Sequence, residues 1–266
     1  MSDTFKTISP IDASVYAKRA YARSSEIESV LAGAESARKM WKETSISARA
    51  DYCRKAVEYF IDHADEIALE ITWQMGRPIA YSPFEINKGF HERALYMIDE
   101  AEAALRDITL PVKEGFSRFI RKEPLGTVFV LAPWNYPYLT SVNAVIPALM
   151  AGNPVILKHA HQTPLCAERY QKAFEAAGLP DGVFNYFHLT HSQVAAVIGD
   201  KRVAHVAFTG SVGGGKAIQT AVNQRFISAG LELGGKDPAY VCEDADLDST
   251  IENLVDGVCF NSGQSC

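Results

Sequence analysis

Three side chains that lie far apart in the sequence could together carry out acyl transfer. Cys266 follows "NSGQ", small and polar residues that would let other groups approach a reactive thiolate. Glu232, in "LELGGK", stands beside two glycines and could act as a partly buried general base with room to move. Asn135 is held between Trp134 and Tyr136 in "APWNYP", where a stiff amide donor could stabilise an oxyanion. Nucleophile, base and oxyanion donor form the set that acyl transfer requires.

Each of these residues also has an ordinary structural explanation. A single glutamate on a loop is usually solvated, and a proline-flanked asparagine commonly closes a strand with a rigid turn. A cysteine is most often a small buried side chain. The combination of the three residues favours the chemical interpretation over these separate explanations.

A glycine-rich stretch, "FTGSVGGGKA" at residues 208–217, follows an apolar run and precedes a helical pattern. Gly210, Ser211 and Gly215 would let backbone N–H groups and the positive end of a helix face a phosphate. Three interpretations stay open: a dinucleotide pyrophosphate site, a flexible turn, and the front of a P-loop. The P-loop would be a nucleotide triphosphatase site, but it lacks its magnesium ligand because Ala217 stands where Ser or Thr is needed. Together with the acyl-transfer set, a dinucleotide site would make the chemistry a thiol-dependent oxidation of a carbonyl.

The other chemically capable residues have structural interpretations. We expect Cys53, Cys166 and Cys242 in core or helix positions, and Cys259 on the strand face opposite a reactive site. The absence of a CxxC pair and the odd cysteine count argue against disulfides. We expect no metal, since the histidine pair in "HLTH" lacks a third ligand.

The elements that must position these residues are typical of an α/β protein. Residues 12 to about 105 predict helices almost throughout, with Gly76 ending one of them. Residues 107–123 predict a β-hairpin or projecting arm, and from residue 127 strands and helices alternate. Apolar strands between helices predict a parallel sheet covered on both faces. "APWN", "KHAH" and "FTGS" should then converge at the carboxyl ends of the strands, where ligands bind.

Composition excludes several classes of function. The formal net charge is −6, with 47% hydrophobic and 22% charged residues, so the chain is globular and has no basic field for nucleic acid. No unbroken apolar stretch reaches the length of a membrane span, and the first residues do not resemble a signal peptide. We therefore expect a cytoplasmic protein that binds neither nucleic acid nor membranes.

The motifs, in this order and spacing, resemble those of the aldehyde dehydrogenase superfamily across essentially the whole chain. They are "APWNYP", "VILKHA", "GLPDGVFN", "FTGSVGGG", "LELGGKDP" and "FNSGQSC". The resemblance implies a Rossmann-like coenzyme-binding domain with an N-terminal helical segment, in residues 1–106 and 124–236. It further implies a β-hairpin oligomerisation arm in residues 107–123 and the start of a second α/β domain, the catalytic one, in residues 237–266.

The resemblance also implies a role for each site residue. Cys266 would attack the aldehyde, Asn135 and the backbone N–H of Cys266 would hold the oxyanion, and Glu232 would activate water against the thioester. NAD or NADP would lie along the remaining residues: Lys158 and His161 at the adenosine ribose, Gly210, Ser211 and Gly215 at the pyrophosphate, Trp134 and Leu233 at the nicotinamide. An aldehyde or semialdehyde, such as succinate semialdehyde, would be the substrate of a homodimer or homotetramer.

Two departures from the family pattern change these expectations. His161 replaces the carboxylate that would repel a 2′-phosphate, so we hypothesise dual cofactor use or a preference for NADP. Taken as a chain that ends at its nucleophile, the sequence predicts a cofactor-binding half-enzyme without turnover, because such a site needs close support on both sides. A dinucleotide-binding protein of the same fold without turnover is the alternative.

Overall fold

A computed structural model describes residues 3–266 as a mixed α/β fold around a five-stranded parallel sheet. The sheet strands are β5 (Thr127–Ala132), β6 (Val155–His159), β7 (Phe184–Tyr186), β8 (Val203–Gly210) and β9 (Ser228–Leu233). Their order is β7–β6–β5–β8–β9, and each neighbouring pair is parallel. The order reverses at β5, so the crevice beside β5 is the expected place for a ligand. The predicted fold class is confirmed.

Helices cover both faces of this sheet, as parallel strands require. They are α1 (Ser24–Glu43), α2 (Ile46–Asp62), α3 (Ala64–Met75), α4 (Ser82–Phe84), α5 (His91–Asp99), α6 (Ala101–Leu105), α7 (Pro137–Met150), α8 (Pro164–Ala176), α9 (His191–Gly199), α10 (Val212–Asn223) and α11 (Leu247–Cys259). A π-helical turn, Glu85–Phe90, joins α4 to α5, and a 3-10 turn, Phe260–Gly263, follows α11. None of the helices described between residues 3 and 266 is long and apolar enough to cross a membrane.

The core consists of two apolar clusters, one on each face of the sheet. Successive residues of β5 point to opposite faces, so Val128 and Val130 join one cluster while Phe129 and Leu131 join the other. The larger cluster includes the buried stripe of α2 and α3, of which Phe60 is a member. The predicted stop at Gly76 is confirmed, with a φ of 80° that favours glycine.

The prediction that residues 12–105 are almost entirely helical is wrong at its start. Residues Val15–Ala20 form β2, which pairs antiparallel with β1 (Thr4–Ile8). The first residues, Val15 and Tyr16, prefer an extended backbone, and pairing with β1 satisfies their backbone groups. The hairpin brings Phe5 against His161, with ring centroids 4.6 Å apart, so it supports one edge of the candidate site.

A second, short hairpin lies within the segment predicted as an arm. Strands β3 (Ile108–Thr109) and β4 (Phe119–Ile120) pair antiparallel, and all four residues are exposed. The hairpin geometry is therefore present, while the proposed role in oligomerisation stays a prediction.

Four of the five cysteine placements need comment. Cys53 and Cys166 are buried as expected, but Cys242 is exposed, because the segment after β9 lies outside the core clusters. Cys259 ends helix α11 and not a strand, so the interpretation based on a strand face is wrong. The apolar residues of α11 have the spacing of a helix, although none of them is buried.

Candidate active site

The carboxyl ends of four strands surround one cavity of about 1160 Å³. Strand β5 ends at Ala132, β6 at His159, β8 at Gly210 and β9 at Leu233. The cavity is lined by all but one of the site residues predicted from the sequence: Trp134, Asn135, Lys158, His161, Gly210, Ser211, Glu232, Leu233 and Cys266. The expected convergence of the three strand-end motifs is confirmed.

The glycine-rich segment forms the start of helix α10 and lines this cavity. Ser211 is the N-cap, and its Oγ accepts a hydrogen bond of 3.1 Å from the backbone N–H of Gly214. Gly213 and Gly214 also line the cavity. An added Cβ on Gly213 would meet nothing within 4 Å, whereas one on Gly214 would collide with the ring of Phe208, which lines the cavity too. This arrangement is suited to a phosphate.

Gly215 and Lys216 lie outside the cavity lining. A Cβ on Gly215 would collide with the side chain of Leu233, so this glycine lets α10 pack closely on β9. Lys216 is exposed. A P-loop lysine must reach the phosphates, so this placement argues against the triphosphatase interpretation.

Lys158 and His161 line the end of the cavity next to the β1–β2 hairpin. Burial lowers the pKa of Lys158 to about 8, which makes its charge easy to lose. His161 lies within the aromatic cluster of Phe5 and Tyr21, and its Nε2 is 3.0 Å from the carbonyl oxygen of Leu189. Burial also lowers the pKa of His161. This end of the cavity therefore carries a cation and a mainly neutral imidazole near neutral pH, where a carboxylate was expected for the family.

Asn135 and Cys266 line the same cavity, and the loops that carry them are in contact. The Asn135 side chain donates a hydrogen bond of 2.8 Å from Nδ2 to the carbonyl oxygen of Gln264, two residues before the thiol. The hydroxyls of Tyr136 and Ser265 are 2.7 Å apart and hydrogen-bonded. The oxyanion candidate and the nucleophile candidate are thus held together by direct contacts between their own loops.

The last turn before Cys266 has an unusual backbone. Asn261, Ser262 and Gly263 have φ values of 53°, 58° and 71°, a left-handed run that non-glycine residues rarely adopt. The second glycine of "LELGGK" allows the turn to come close, because a Cβ on Gly235 would collide with the backbone of Cys266. The turn therefore brings the thiol beside the end of β9, where Glu232 lies.

Glu232 reaches the cavity from β9, but it is exposed and not partly buried. The expectation of burial is wrong because successive residues of β9 point to opposite faces: Ala229 and Leu231 pack against one core cluster, and Glu232 points to the other face, where no residue of β9 joins the core. Its position still places a carboxylate and the thiol in one cavity, as a base that activates water would require.

Sequence reasoning missed two charged residues that contact the loops of this site. Arg77 and Glu85 form a buried ion pair, and Arg77 donates to both Asn261 and Asn135. The sequence signal that could have found them is the pair of opposite charges itself: Arg77 and Glu85 lie eight residues apart, next to helical patterns that are otherwise apolar. Within residues 3–266, no group of three or more His, Cys, Asp or Glu side chains could hold a metal ion.

Comparison with known proteins then decides the family. The model of the "Aldehyde dehydrogenase family" matches residues 1–266. The chain belongs to the aldehyde dehydrogenase family. Members of this family are enzymes, and the motif resemblance is confirmed.

Several relatives share this aldehyde dehydrogenase fold and carry related names. A succinate semialdehyde dehydrogenase [NAD(P)+] of Escherichia coli K12 is 33% identical over 92% of this chain. A succinate-semialdehyde dehydrogenase [NADP(+)] of Mycobacterium tuberculosis H37Rv is 33% identical over 98% of it. The solved succinic semialdehyde dehydrogenase of Streptococcus pyogenes in complex with NADP+ is 27% identical over 98% of the chain, with a TM-score of 0.93. The chain spans about half of these proteins: 53%, 57% and 57% of their lengths, respectively.

Proposed function

We propose that this aldehyde dehydrogenase chain takes part in the NADP- or NAD-dependent oxidation of an aldehyde to a carboxylic acid, with Cys266 as the nucleophile. The observation that carries the proposal is one cavity that is lined by Lys158 and the Ser211-capped turn and also by Asn135 and Cys266. A dinucleotide needs both groups of residues, because its phosphates and its reactive ring lie far apart.

The residues present suit the dinucleotide. Lys158 and His161 would hold the adenosine ribose, while Gly210, Ser211 and the first turn of α10 would hold the pyrophosphate. Trp134 and Leu233 would border the nicotinamide, and Gly215 would act indirectly by allowing α10 to approach Leu233. The fit rests on the start of α10, where Gly213 and Gly214 line the cavity, and on the partly buried cation of Lys158.

The residues of this chain would act on the aldehyde in two stages. The thiolate of Cys266 forms a bond to the carbonyl carbon, and the carbonyl oxygen becomes an oxyanion that the Asn135 amide stabilises. The bound dinucleotide supplies a hydride acceptor, so the carbon is oxidised to the level of a thioester on Cys266. Glu232 then takes a proton from water, the hydroxide adds to the thioester carbon, and the acid leaves as the thiol is restored.

We propose NADP as a competent cofactor, with dual use of NAD. The supporting observations are His161 in place of a carboxylate and the names of the relatives, which include NADP(+) and NAD(P)+. We expect the catalytic efficiency with NADP to be at least one hundredth of that with NAD, a gap of about 2.7 kcal/mol. A larger gap in favour of NAD would contradict the assignment.

The relatives' names suggest succinate semialdehyde as the first substrate to test. The assembly is proposed as a homodimer or homotetramer, since the β3–β4 hairpin exposes Ile108, Phe119 and Ile120. Light scattering on the purified protein would measure the assembly. The proposed domains are coenzyme binding in residues 1–106 and 124–236 and the start of a catalytic domain in residues 237–266.

The experiment that tests the proposal compares two exposed cysteines. Cys266→Ala should abolish NADPH formation from NADP+ and succinate semialdehyde, because the nucleophile is lost. Cys259→Ala is the matched control, since Cys259 is also exposed but ends helix α11 outside the cavity lining. Equal NADPH formation by both variants and the unchanged protein would contradict the role of Cys266.

A second candidate is a dinucleotide-binding protein that does not turn over. The exposure of Glu232 and of the apolar residues of α11 favours it, because the base and the nucleophile then lack surrounding protein. This candidate predicts that NADP+ binds while no NADPH forms with any aldehyde tested.

A further inference from the structure

A buried ion pair lies directly behind the candidate active site. Arg77 follows the helix-ending Gly76, and Glu85 opens the π-helical turn. Their side chains are 4% and 0% exposed, and Nη1 of Arg77 donates to Oε2 of Glu85. Burying two charges is expensive, and a well-packed apolar pair is often as stable. The arrangement therefore calls for an explanation beyond stability.

The guanidinium of Arg77 divides its donors among three partners. While Nη1 faces Glu85, Nε donates to Oδ1 of Asn261 at 2.6 Å and Nη2 donates to the carbonyl oxygen of Asn135 at 2.9 Å. The guanidinium also stacks over the ring of Tyr136, 4.7 Å from its centroid. One planar group thus contacts both the oxyanion loop and the turn that leads to Cys266. Lysine could not reproduce this fork.

Glu85 fixes the oxyanion loop from its other side. Its Oε1 accepts hydrogen bonds from the backbone N–H groups of Tyr138 at 2.7 Å and Leu139 at 3.0 Å. These groups belong to the first turn of α7, whose N-cap Tyr136 provides no side-chain cap. The carboxylate therefore caps helix α7, which begins two residues after Asn135. Its negative charge also interacts favourably with the positive end of the helix dipole.

Asn261 closes the network. Its Nδ2 donates to the carbonyl oxygen of Asn135 at 2.9 Å, so that oxygen accepts from both Arg77 and Asn261. With the Asn135 backbone held in this way, its side chain is directed to the carbonyl oxygen of Gln264. The buried Asn261 also has the left-handed backbone that starts the turn.

We infer that Arg77 is a positioning residue: it fixes the Asn135 amide and the Cys266 turn relative to each other, and Glu85 holds Arg77 in place. Arg77 does not line the cavity, so it acts through Asn135 and Asn261. The inference rests on the proposed function, because it assigns Arg77 a purpose only if Asn135 and Cys266 act on one carbonyl. Misplacement of reacting groups by about 1 Å can cost roughly 100-fold in rate.

The test uses four variants and a readout that needs no turnover. Arg77→Met removes the fork and keeps the length, and Arg77→Lys keeps the charge. Asn261→Ala removes the hydrogen bonds of Asn261 to Arg77 and to the Asn135 carbonyl oxygen and leaves the Arg77–Glu85 pair in place. Arg169→Met is the matched control, since Arg169 pairs with Glu66 and Glu70 away from the cavity. The side-chain amide NMR signals of Asn135 and Asn261 report their hydrogen bonds directly.

We expect Arg77→Met to move both amide signals to the positions of solvent-exposed asparagine. Arg77→Lys should restore them in part, Asn261→Ala should move the Asn135 signal, and Arg169→Met should change neither. Where turnover is measured, Arg77→Met should lower kcat about 100-fold and leave the Kd for NADP+ within about twofold.

Unchanged Asn135 signals in both Arg77→Met and Asn261→Ala would overturn the inference. If Arg77→Met does not fold, the Asn261→Ala result decides alone, because that variant leaves the ion pair intact. A chain that forms no NADPH but shows the expected amide shifts would refute the proposed function while supporting the positioning network.

Discussion

At the scale of single residues, the candidate site combines groups whose charges depend on burial. Lys158 is the clearest case, because burial lowers its pKa to about 8 and places its titration just above neutral pH. The cation would be mostly present at pH 7 and mostly absent at pH 9. A cation near the cofactor attracts its phosphates, so the charge of Lys158 should be visible in cofactor binding.

We therefore expect the affinity for NADP+ to fall about tenfold between pH 7 and pH 9. Lys158→Arg should remove this pH dependence, since arginine stays protonated across the range. Lys158→Met should bind weakly at both pH values. Isothermal titration calorimetry measures all three, and a flat profile for the unchanged protein would contradict the role of Lys158.

At the scale of elements, the site depends on close approaches between segments that are distant in sequence. Gly182, just before β7, has a φ of 85°, and a Cβ there would lie 2.5 Å from the carbonyl oxygen of Gly33 in α1. Gly182 therefore lets α1 pack against the loop that leads into the sheet. This contact holds the edge of the sheet whose other strands end at the cavity.

Gly182→Ala should therefore destabilise the protein by about 2 kcal/mol or more, from backbone strain plus the collision with α1. Gly178→Ala is a matched control, because Gly178 has a similar φ of 70° but no neighbour within 4 Å of an added Cβ. We expect the control to cost about 1 kcal/mol. Urea unfolding of both variants measures the difference, and equal costs would show that the approach to Gly33 is unimportant.

The sequence alone predicted part of how these elements are arranged. The strand–helix alternation placed Asn135, Lys158 and Gly210 at strand ends, and parallel strand ends share one edge, so their convergence was predictable. The exposure of Glu232 was not predictable, because it depends on which face of β9 is covered by the core, and only the face of Ala229 and Leu231 is. The β1–β2 hairpin was missed because a helical reading was extended over a short extended segment.

The hydrogen-bond network of Arg77 was the part of the site that the sequence could least predict. Arg77 and Asn261 are separated by 184 residues, and Arg77 and Asn135 by 58. Local patterns carry no information about such pairs, since each residue looks like an ordinary polar residue in its own segment. Only packing of α3, the π-helical turn and the final turn around α7 brings them together.

At the scale of the whole molecule, this aldehyde dehydrogenase chain spans about half the length of the relatives it matches. Its fold corresponds to that of the solved succinic semialdehyde dehydrogenase of Streptococcus pyogenes at a TM-score of 0.93. Helix α11 has no buried residue, whereas the turn before Cys266 includes the buried Asn261.

The central claim is that Cys266 carries the substrate as a thioester. The measurement that tests it most directly is the intact mass of the Glu232→Gln variant after mixing with NADP+ and succinate semialdehyde. The variant lacks the base that would release the acid, so we predict one acyl group on Cys266 and one NADPH formed for each chain. Cys266→Ala should show neither product. NADP+ binding without an acyl group or NADPH would contradict the account and leave a dinucleotide-binding protein.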